Sequence, residues 1–537
     1  MTPSHELGLV MDYQLGVGAI LRRAEQLFGH KEIVTRAPDR TFHRYTYADL
    51  ARRARQVASA LAALGLPPSA RVATLCASHH EHLEAYYGAP LAGLVVHPLN
   101  PRLHADHLSY IANHANDRLL IVDEAFLGVL EAIGDVPFEH VIVVGAASPG
   151  TAGFEDFIAT GDPDWQAPEL DERAAAFLGY TSGTTGRPKG ALFSHRSIAL
   201  QAMASALNGA LGFGEDDVVM PVVPMFHAMA WAWPYTCAMI GAKQVLPGAA
   251  LDPESLLEDI DQERVTVTGG VPTVWTAVLR ALDTAPARYD TSSLRSILIG
   301  GSATPQATIE AFERRHDIRI VATWGMTELC MGLISELHGD QREQPPDVQM
   351  RTRKRQGFPL AFLEIRARGD DGLIPWDGTA MGELEVRGPW VASTYADAPD
   401  DADKWSADGW FATGDIVTID PRGSVEIQDR AKDLVKSGGE WISSSELESA
   451  LAAHPAVAEA AVIAIPHERW VERPMALVVL RDDAVSADDL RAHLADRVAK
   501  WWVPDRIEIV ASLPKTSVGK LDKVALRRQY AEQPVTD

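Results

Sequence analysis

The chain has 537 residues, more than one hydrophobic core usually organises, so at least two domains are expected. Acidic residues outnumber basic ones 73 to 49, and the formal charge of -24 argues against nucleic acid or an anionic lipid surface as a partner. Cys76, Cys237 and Cys330 are isolated and lack metal-type spacing, so neither a disulfide framework nor a zinc site is expected, and a reducing cytoplasm fits.

The N-terminus, MTPSHELGLV, has no basic stretch leading into an apolar one, which argues against a secretory signal. Residues 46–65 show a capping-box start at Thr46 and Asp49, apolar positions at Leu50, Ala54, Val57, Ala58, Leu61 and Leu64, and a glycine stop. That pattern predicts an amphipathic helix. Short β-branched runs follow at RVATLC (from Arg71), RLLIVD (from Arg118) and HVIVVG (from His140), separated by helical patterns. The same alternation continues through AAAFLGY, SILIGG (from Ser296) and RIVATWG (from Arg319). It predicts largely parallel sheets covered by helices, with glycines and polar residues at the strand ends where ligands collect.

The most apolar window, AMAWAWPYTCAMIGA from Ala228, is shorter than the roughly 18 to 20 residues of a membrane span and contains Pro234, so it is expected as buried protein. The basic run RTRKRQ (351–356) reads as a solvated loop. Downstream of Arg430 the rhythm changes to a glycine-tipped hairpin at DLVKSGGEWIS, a helix capped by Ser443 and Glu446, strands at AAVIAI and MALVVL, and a helix from Ser486. This predicts a separate α+β domain of about 100 residues, a normal domain size.

Within YTSGTTGRPKG, beginning at Tyr180, a glycine-rich turn leaving a strand can aim backbone N–H groups at phosphate. Its hydroxyls can bind oxygens or a magnesium ion, and its lysine adds a point charge. The order G-x-x-x-x-G-K-[ST] of a Walker A loop is absent, because Lys189 is followed by Gly190.

The complete string resembles the phosphate loop of the adenylate-forming superfamily, which includes acyl-CoA synthetases, luciferases and peptide-synthetase adenylation domains. The resemblance extends in family order over nearly the whole chain, through TWGMTE, GWFATGD, IQDRAKDLVKSGGEWIS and PKTSVGKLDK. It implies an α/β fold with a large N-terminal adenylation domain at 1–429 and a small mobile α+β domain at 430–537. It further implies that Thr181, Ser182, Gly183, Thr184, Thr185 and Lys189 bind ATP, that Trp324 packs by adenine and Thr327 holds phosphate, and that Thr184 and Glu328 hold Mg2+. Asp415 and Arg430 are placed at the ribose, Lys432 at the pivot between domains, and Lys520 on a C-terminal loop.

On that resemblance ATP, CoA and a carboxylic acid are the substrates. Lys520 bridges the acid and the α-phosphate while the acyl-adenylate forms, and rotation about Lys432 then makes room for the thiol. Gly438, Gly439, Glu440 and Trp441 line a pantetheine tunnel, Lys436 assists the thioester step, and Glu472 and Arg473 orient CoA. VVPMFHAMAWAWPY resembles the acyl-pocket segment of fatty acyl-CoA synthetases, with His227 and Trp231 at gating and binding positions. It departs from the commoner MFHVNAW: Met229 replaces an amide with a thioether. Together with Gly300, Gly301 and Ser302, this implies a short or medium aliphatic tail.

Within the superfamily, SGGEWISSSELE and PMFH most resemble bacterial medium-chain acyl-CoA ligases and ligases for methylthiopropanoate. Aryl or cyclic acids, an amide-forming enzyme and a non-catalytic nucleotide-binding protein are the alternatives. A carrier-domain partner is disfavoured by the short tail after Lys520, and the last alternative by intact Glu328, Asp415 and Lys520. A homodimer is compatible with the family, but no sequence signal bears on it.

Overall fold

The computed structural model describes the chain apart from residues 1–7, 135, 137, 148–149, 182–186, 208–210, 303, 398–402, 438–439, 468, 482–484, 516–520 and 531–537, and the side chain of residue 440. Two parallel-rich sheets, of seven and nine strands, form most of the larger part. In the first, Arg71–Leu75 lies between Val95–Pro98 and Asp117–Asp123, with Ala175–Tyr180 beyond the former and His140–Val144 beyond the latter, all parallel. Gly190–Ser194 closes one edge as an antiparallel strand. In the second, Lys243–Leu246, Val218–Pro221, Val267–Gly270, Ser296–Ile299 and Arg319–Trp324 run parallel in that order. The expected α/β alternation is present.

The amphipathic helix at 46–65 is Tyr47–Ala63, and its capping box forms as expected: the Thr46 hydroxyl accepts from the Asp49 amide while the Asp49 carboxylate accepts from the Thr46 amide. It packs on His80–Leu91, which buries every residue from His82 to Leu91 and lies in the core between the sheets. Burial on all sides explains why that helix carries so few solvent-side charges. Residues 229–238 of the apolar window are likewise buried. Among the described residues no helix is long and apolar enough to cross a membrane.

A third sheet departs from the alternating pattern. Glu364–Gly369, Gly382–Arg387, Phe411–Ile419 and Val425–Arg430 form antiparallel neighbours, with Gly372–Leu373 at one edge. The basic run is also placed differently from expectation. It closes the helix Pro346–Arg353 rather than lying in a loop; Arg351 is exposed, as expected, in a surface pair with Asp347 (3.0 Å), whereas Arg353 and Arg355 are half-buried against Glu313 (2.8 Å) and Asp420 (3.0 Å).

After Arg430 the chain forms the hairpin Val435–Ser437 and Glu440–Ile442, the helix Ser444–Ala452, the long antiparallel pair Val457–His467 and Val471–Leu480, and the helix Ala487–Ala495. The buried cluster around Val435, Leu447, Val462, Val478 and Leu490 is its own core. Asp429, near the end of the preceding strand, reaches into this unit. Its carboxylate accepts from the Ser444 amide and hydroxyl, both at 2.6 Å, and so sits at the positive end of the helix dipole.

Candidate active site

Three structural units converge on one place. The strand Ala175–Tyr180 leads into the glycine-rich loop, whose base is closed by two bonds: the Thr181 amide donates to the Lys189 carbonyl (2.9 Å) and the Lys189 amide donates to the Thr181 hydroxyl (3.0 Å). Ser182, Gly183, Thr184 and Thr185 lie outside the described residues. Lys189 places its ammonium over the Tyr395 ring, 5.2 Å from the centroid. The Tyr395 hydroxyl in turn donates to Glu328.

Glu328 follows the strand Arg319–Trp324 through a tight turn, with Thr327 half-buried beside it. Glu328 itself is only 5% exposed. Burial raises its pKa above the ordinary carboxylate value, opposed by the Tyr395 hydrogen bond and by the positive charge of Arg430. The Glu328 carbonyl accepts from the Ala392 amide at 2.8 Å, and the Gly190 carbonyl accepts from the Ala396 amide at 2.8 Å. One short stretch, 390–396, therefore fastens the phosphate loop to the Glu328 turn. Sequence reasoning missed Tyr395, because nothing in its local pattern marks it.

The third sheet delivers Asp415, only 2% exposed. The Trp324 indole N–H donates to Asp415 Oδ2 (2.9 Å), and the Arg430 guanidinium pairs with Oδ1 (2.8 Å). Asp415 and Arg430 are directly opposed on neighbouring strands, so pleating puts both side chains on one face. Trp324, Glu328, Asp415, Arg430, Thr181 and Lys189 are thus assembled from distant positions between 181 and 430.

His227, Met229 and Trp231 belong to an unusual element. Ala228, Met229, Ala230, Trp231 and Ala232 all have positive φ, between 43° and 61°, forming a left-handed turn that ends at the helix Trp233–Ile240. L-residues pay about 1–2 kcal/mol each in this conformation. The Cys330 thiol donates to the Ala228 carbonyl at 2.9 Å, one of the bonds holding it. The turn divides its side chains: Met229 enters the cluster containing Met225 and Tyr235, whereas Trp231 joins the one with Trp233 and Phe213. Trp231 lies so near Gly300 that a Cβ there would come within 3.1 Å of the indole and 2.4 Å of the Thr323 hydroxyl. Only glycine fits that approach. Gly301 has φ of 90°, and Ser302 is exposed.

In the C-terminal unit the hairpin forms as expected, with Lys436 opposite Trp441 and its ammonium 4.6 Å from the ring centroid. Its tip, Gly438 and Gly439, lies outside the described residues, as does Lys520; Glu440 is in the second strand. Glu472 accepts from the Lys436 amide (2.8 Å). Arg473 is buried and spends its guanidinium inside this unit, on Asp505 (2.6 Å), the Ser437 hydroxyl (3.2 Å) and the Trp501 carbonyl (2.6 Å). Lys432 is exposed in the turn after Arg430.

The sequence model of the AMP-binding enzyme family matches residues 21–396, and that of the AMP-binding enzyme C-terminal domain matches 446–520. The chain belongs to the AMP-binding enzyme family. It is 43% identical over 528 residues to a long-chain-fatty-acid–CoA ligase of Thermus thermophilus, covering 97% of this chain and 96% of the relative. It is 41% identical over 538 residues to a 3-methylmercaptopropionyl-CoA ligase of Ruegeria lacuscaerulensis, covering 98% and 99%. Among solved structures, the anthranilate CoA ligase AuaEII in complex with anthranoyl-AMP superposes with a TM-score of 0.84 at 27% identity, covering 97% of this chain and 98% of that one.

Proposed function

We propose that this AMP-binding enzyme is an ATP-dependent, AMP-forming carboxylate:CoA ligase acting on a short- to medium-chain aliphatic acid. The assembled site carries the reading: the Trp324–Asp415–Arg430 group offers an indole face and a buried carboxylate for a nucleoside, and Lys189 and Glu328 stand beside it for phosphates and their counter-ion. Relatives named as CoA ligases over the full length support the same chemistry.

In the first half-reaction a carboxylate oxygen attacks the α-phosphorus and the bond to pyrophosphate breaks, leaving an acyl-adenylate. The difficulty is charge repulsion and alignment, so positioned cations do most of the work. Lys520 bridges the acid and the α-phosphate, and Lys189 and Thr181 hold the loop against the phosphates. Glu328 fits a hard divalent cation: it is a buried carboxylate whose ionisation is opposed by burial, so a cation beside it compensates the lost hydration. Mg2+ held by Glu328 and Thr184 would neutralise phosphate oxygens. In the second half-reaction the CoA sulfur attacks the acyl carbon, the bond to AMP breaks, and the thiol proton leaves to solvent. Residues 430–537 form the unit that rotates about Lys432, exchanging the Lys520 loop for the Lys436–Trp441 hairpin. Arg473 and Glu472 fix that hairpin's geometry.

The Trp231 indole against Gly300 supports a tail of limited length. The relative from Ruegeria favours 3-methylthiopropanoate as the second reading. The deciding experiment measures kcat/KM, by pyrophosphate release with CoA and Mg2+-ATP, for acids from propionate to laurate, with 3-methylthiopropanoate and benzoate included. AMP and an acyl-CoA are expected. ADP as the product would overturn the reaction class, and benzoate as the best acid would overturn the aliphatic assignment.

A further inference from the structure

Away from the nucleotide residues, the ends of two parallel strands and the start of a helix bring together a thiol, an imidazole and a carboxylate. Cys76 follows the strand Arg71–Leu75, His79 precedes the helix His80–Leu91, and Asp123 ends the neighbouring strand Asp117–Asp123. One donor atom from each lies within 4.8 Å of the others. His79 Nε2 is 2.8 Å from Asp123 Oδ1. On the other side of the ring, Nδ1 accepts from the His82 amide at 3.2 Å, capping the helix, and lies 2.9 Å from Glu81 Oε2. Asp123 Oδ2 accepts from the Ala77 amide at 2.8 Å, which leaves Oδ1 directed at the imidazole and fixes the carboxylate's orientation.

We propose that Cys76, His79 and Asp123 form a binding site for one divalent transition-metal ion of the zinc type, with Glu81 orienting His79 from behind and water completing the coordination. The donor set of thiolate, imidazole and carboxylate is the one such ions take. Bond lengths near 2.0–2.3 Å put donors in a tetrahedral site about 3.3–3.8 Å apart, so the His79–Asp123 pair at 2.8 Å opens by about 0.5 Å and the other separations, within 4.8 Å, close by up to about 1 Å. Binding an ion at Nε2 requires the ring proton on Nδ1, where Glu81 takes the place of the His82 amide as its partner; a carboxylate on the distal ring nitrogen is the arrangement that fixes the tautomer of a metal-bound histidine.

A dication held by one thiolate and one carboxylate carries no net charge, so the filled site buries none, and the thiol proton that the ion displaces passes to solvent. Glu81 also lines a cavity of about 160 Å³ together with Glu155, which is paired with Arg53 (2.6 Å), and Asp156. The bound ion ties two strand ends to a helix start. Between the ligands, Ser78 accepts the Met225 amide on its hydroxyl (3.1 Å) and the Gly248 amide on its carbonyl (2.9 Å), so the clip supports the segment leading to His227.

Cobalt(II) added to the metal-free full-length protein, without nucleotide, tests the site. One equivalent is expected to bind with a thiolate-to-cobalt charge-transfer absorption in the near ultraviolet. Cys76→Ser should abolish that absorption, although Cys237 and Cys330 remain. Glu81→Gln should keep it but weaken binding by about 10–100-fold. Zinc should displace the cobalt and raise the thermal midpoint of the unaltered protein. Absence of the charge-transfer band in the unaltered protein, or its persistence in Cys76→Ser, would overturn the proposal. Should that variant not fold, a Glu81→Gln protein binding cobalt as tightly as the original would exclude the orienting role assigned to Glu81.

Discussion

Glu328 is buried against its own charge, and the Tyr395 hydroxyl is the neutral donor that offsets part of that cost. Removing the donor destabilises the ionised form alone, so the carboxyl pKa rises further and protonation begins at a higher pH. Tyr395→Phe should therefore shift the acidic limb of the pH profile for pyrophosphate release toward neutrality, with the alkaline limb unmoved; an unshifted acidic limb would show that Tyr395 does not tune Glu328. The aromatic face under Lys189 survives in this variant, which separates the hydrogen bond from the cation–π contact. Glu328, Trp324, Asp415 and Arg430 were legible in the sequence because each sits inside a compact motif. Tyr395 was not, since its partner is 67 positions away and its own segment has neither strand nor helix periodicity.

At the level of elements, the clearest contrast is between the helix Tyr47–Ala63 and the turn Ala228–Ala232. The helix announces itself by spacing and by a capping box whose two bonds both form. The left-handed turn is written in alanines, a methionine and a tryptophan, residues that normally favour the right-handed form, so only tertiary packing selects it. Ala228, half-buried at φ 43°, tests this. Ala228→Gly should leave stability unchanged or raise it by up to about 1 kcal/mol, whereas Ala228→Val should lower it by about 1–2 kcal/mol, read from denaturant midpoints. Equal midpoints for all three proteins would mean the turn relaxes at no cost. The third sheet was missed for a related reason: its strands follow one another without intervening helices, which breaks the grammar that made the parallel sheets readable. The cluster of Cys76, His79 and Asp123 was hidden too, because parallel strand pairing, not sequence spacing, brings Asp123 alongside.

For the whole molecule, the proposed alternation of lobes makes two lysines separable. Lys520→Ala should lower the rate of adenylate formation by about 10²–10³-fold with an unchanged thermal midpoint, as expected for a group acting on charge that develops in the transition state. Lys436→Ala should slow thioester formation from preformed adenylate more than it slows adenylate formation, measured in single turnovers. Equal slowing of both steps would remove the hairpin from the second half-reaction. Asp429 adds a mechanical term, because a swing of the smaller lobe has to leave the Ser444–Ala452 helix without the carboxylate that caps it here. Arg473 behaves in the opposite way. Its anchors, Ser437, Trp501 and Asp505, all lie in the same unit, so under the proposed alternation each turnover would deliver a hairpin already set to shape, with the entropy of forming it spent during folding rather than in each catalytic cycle.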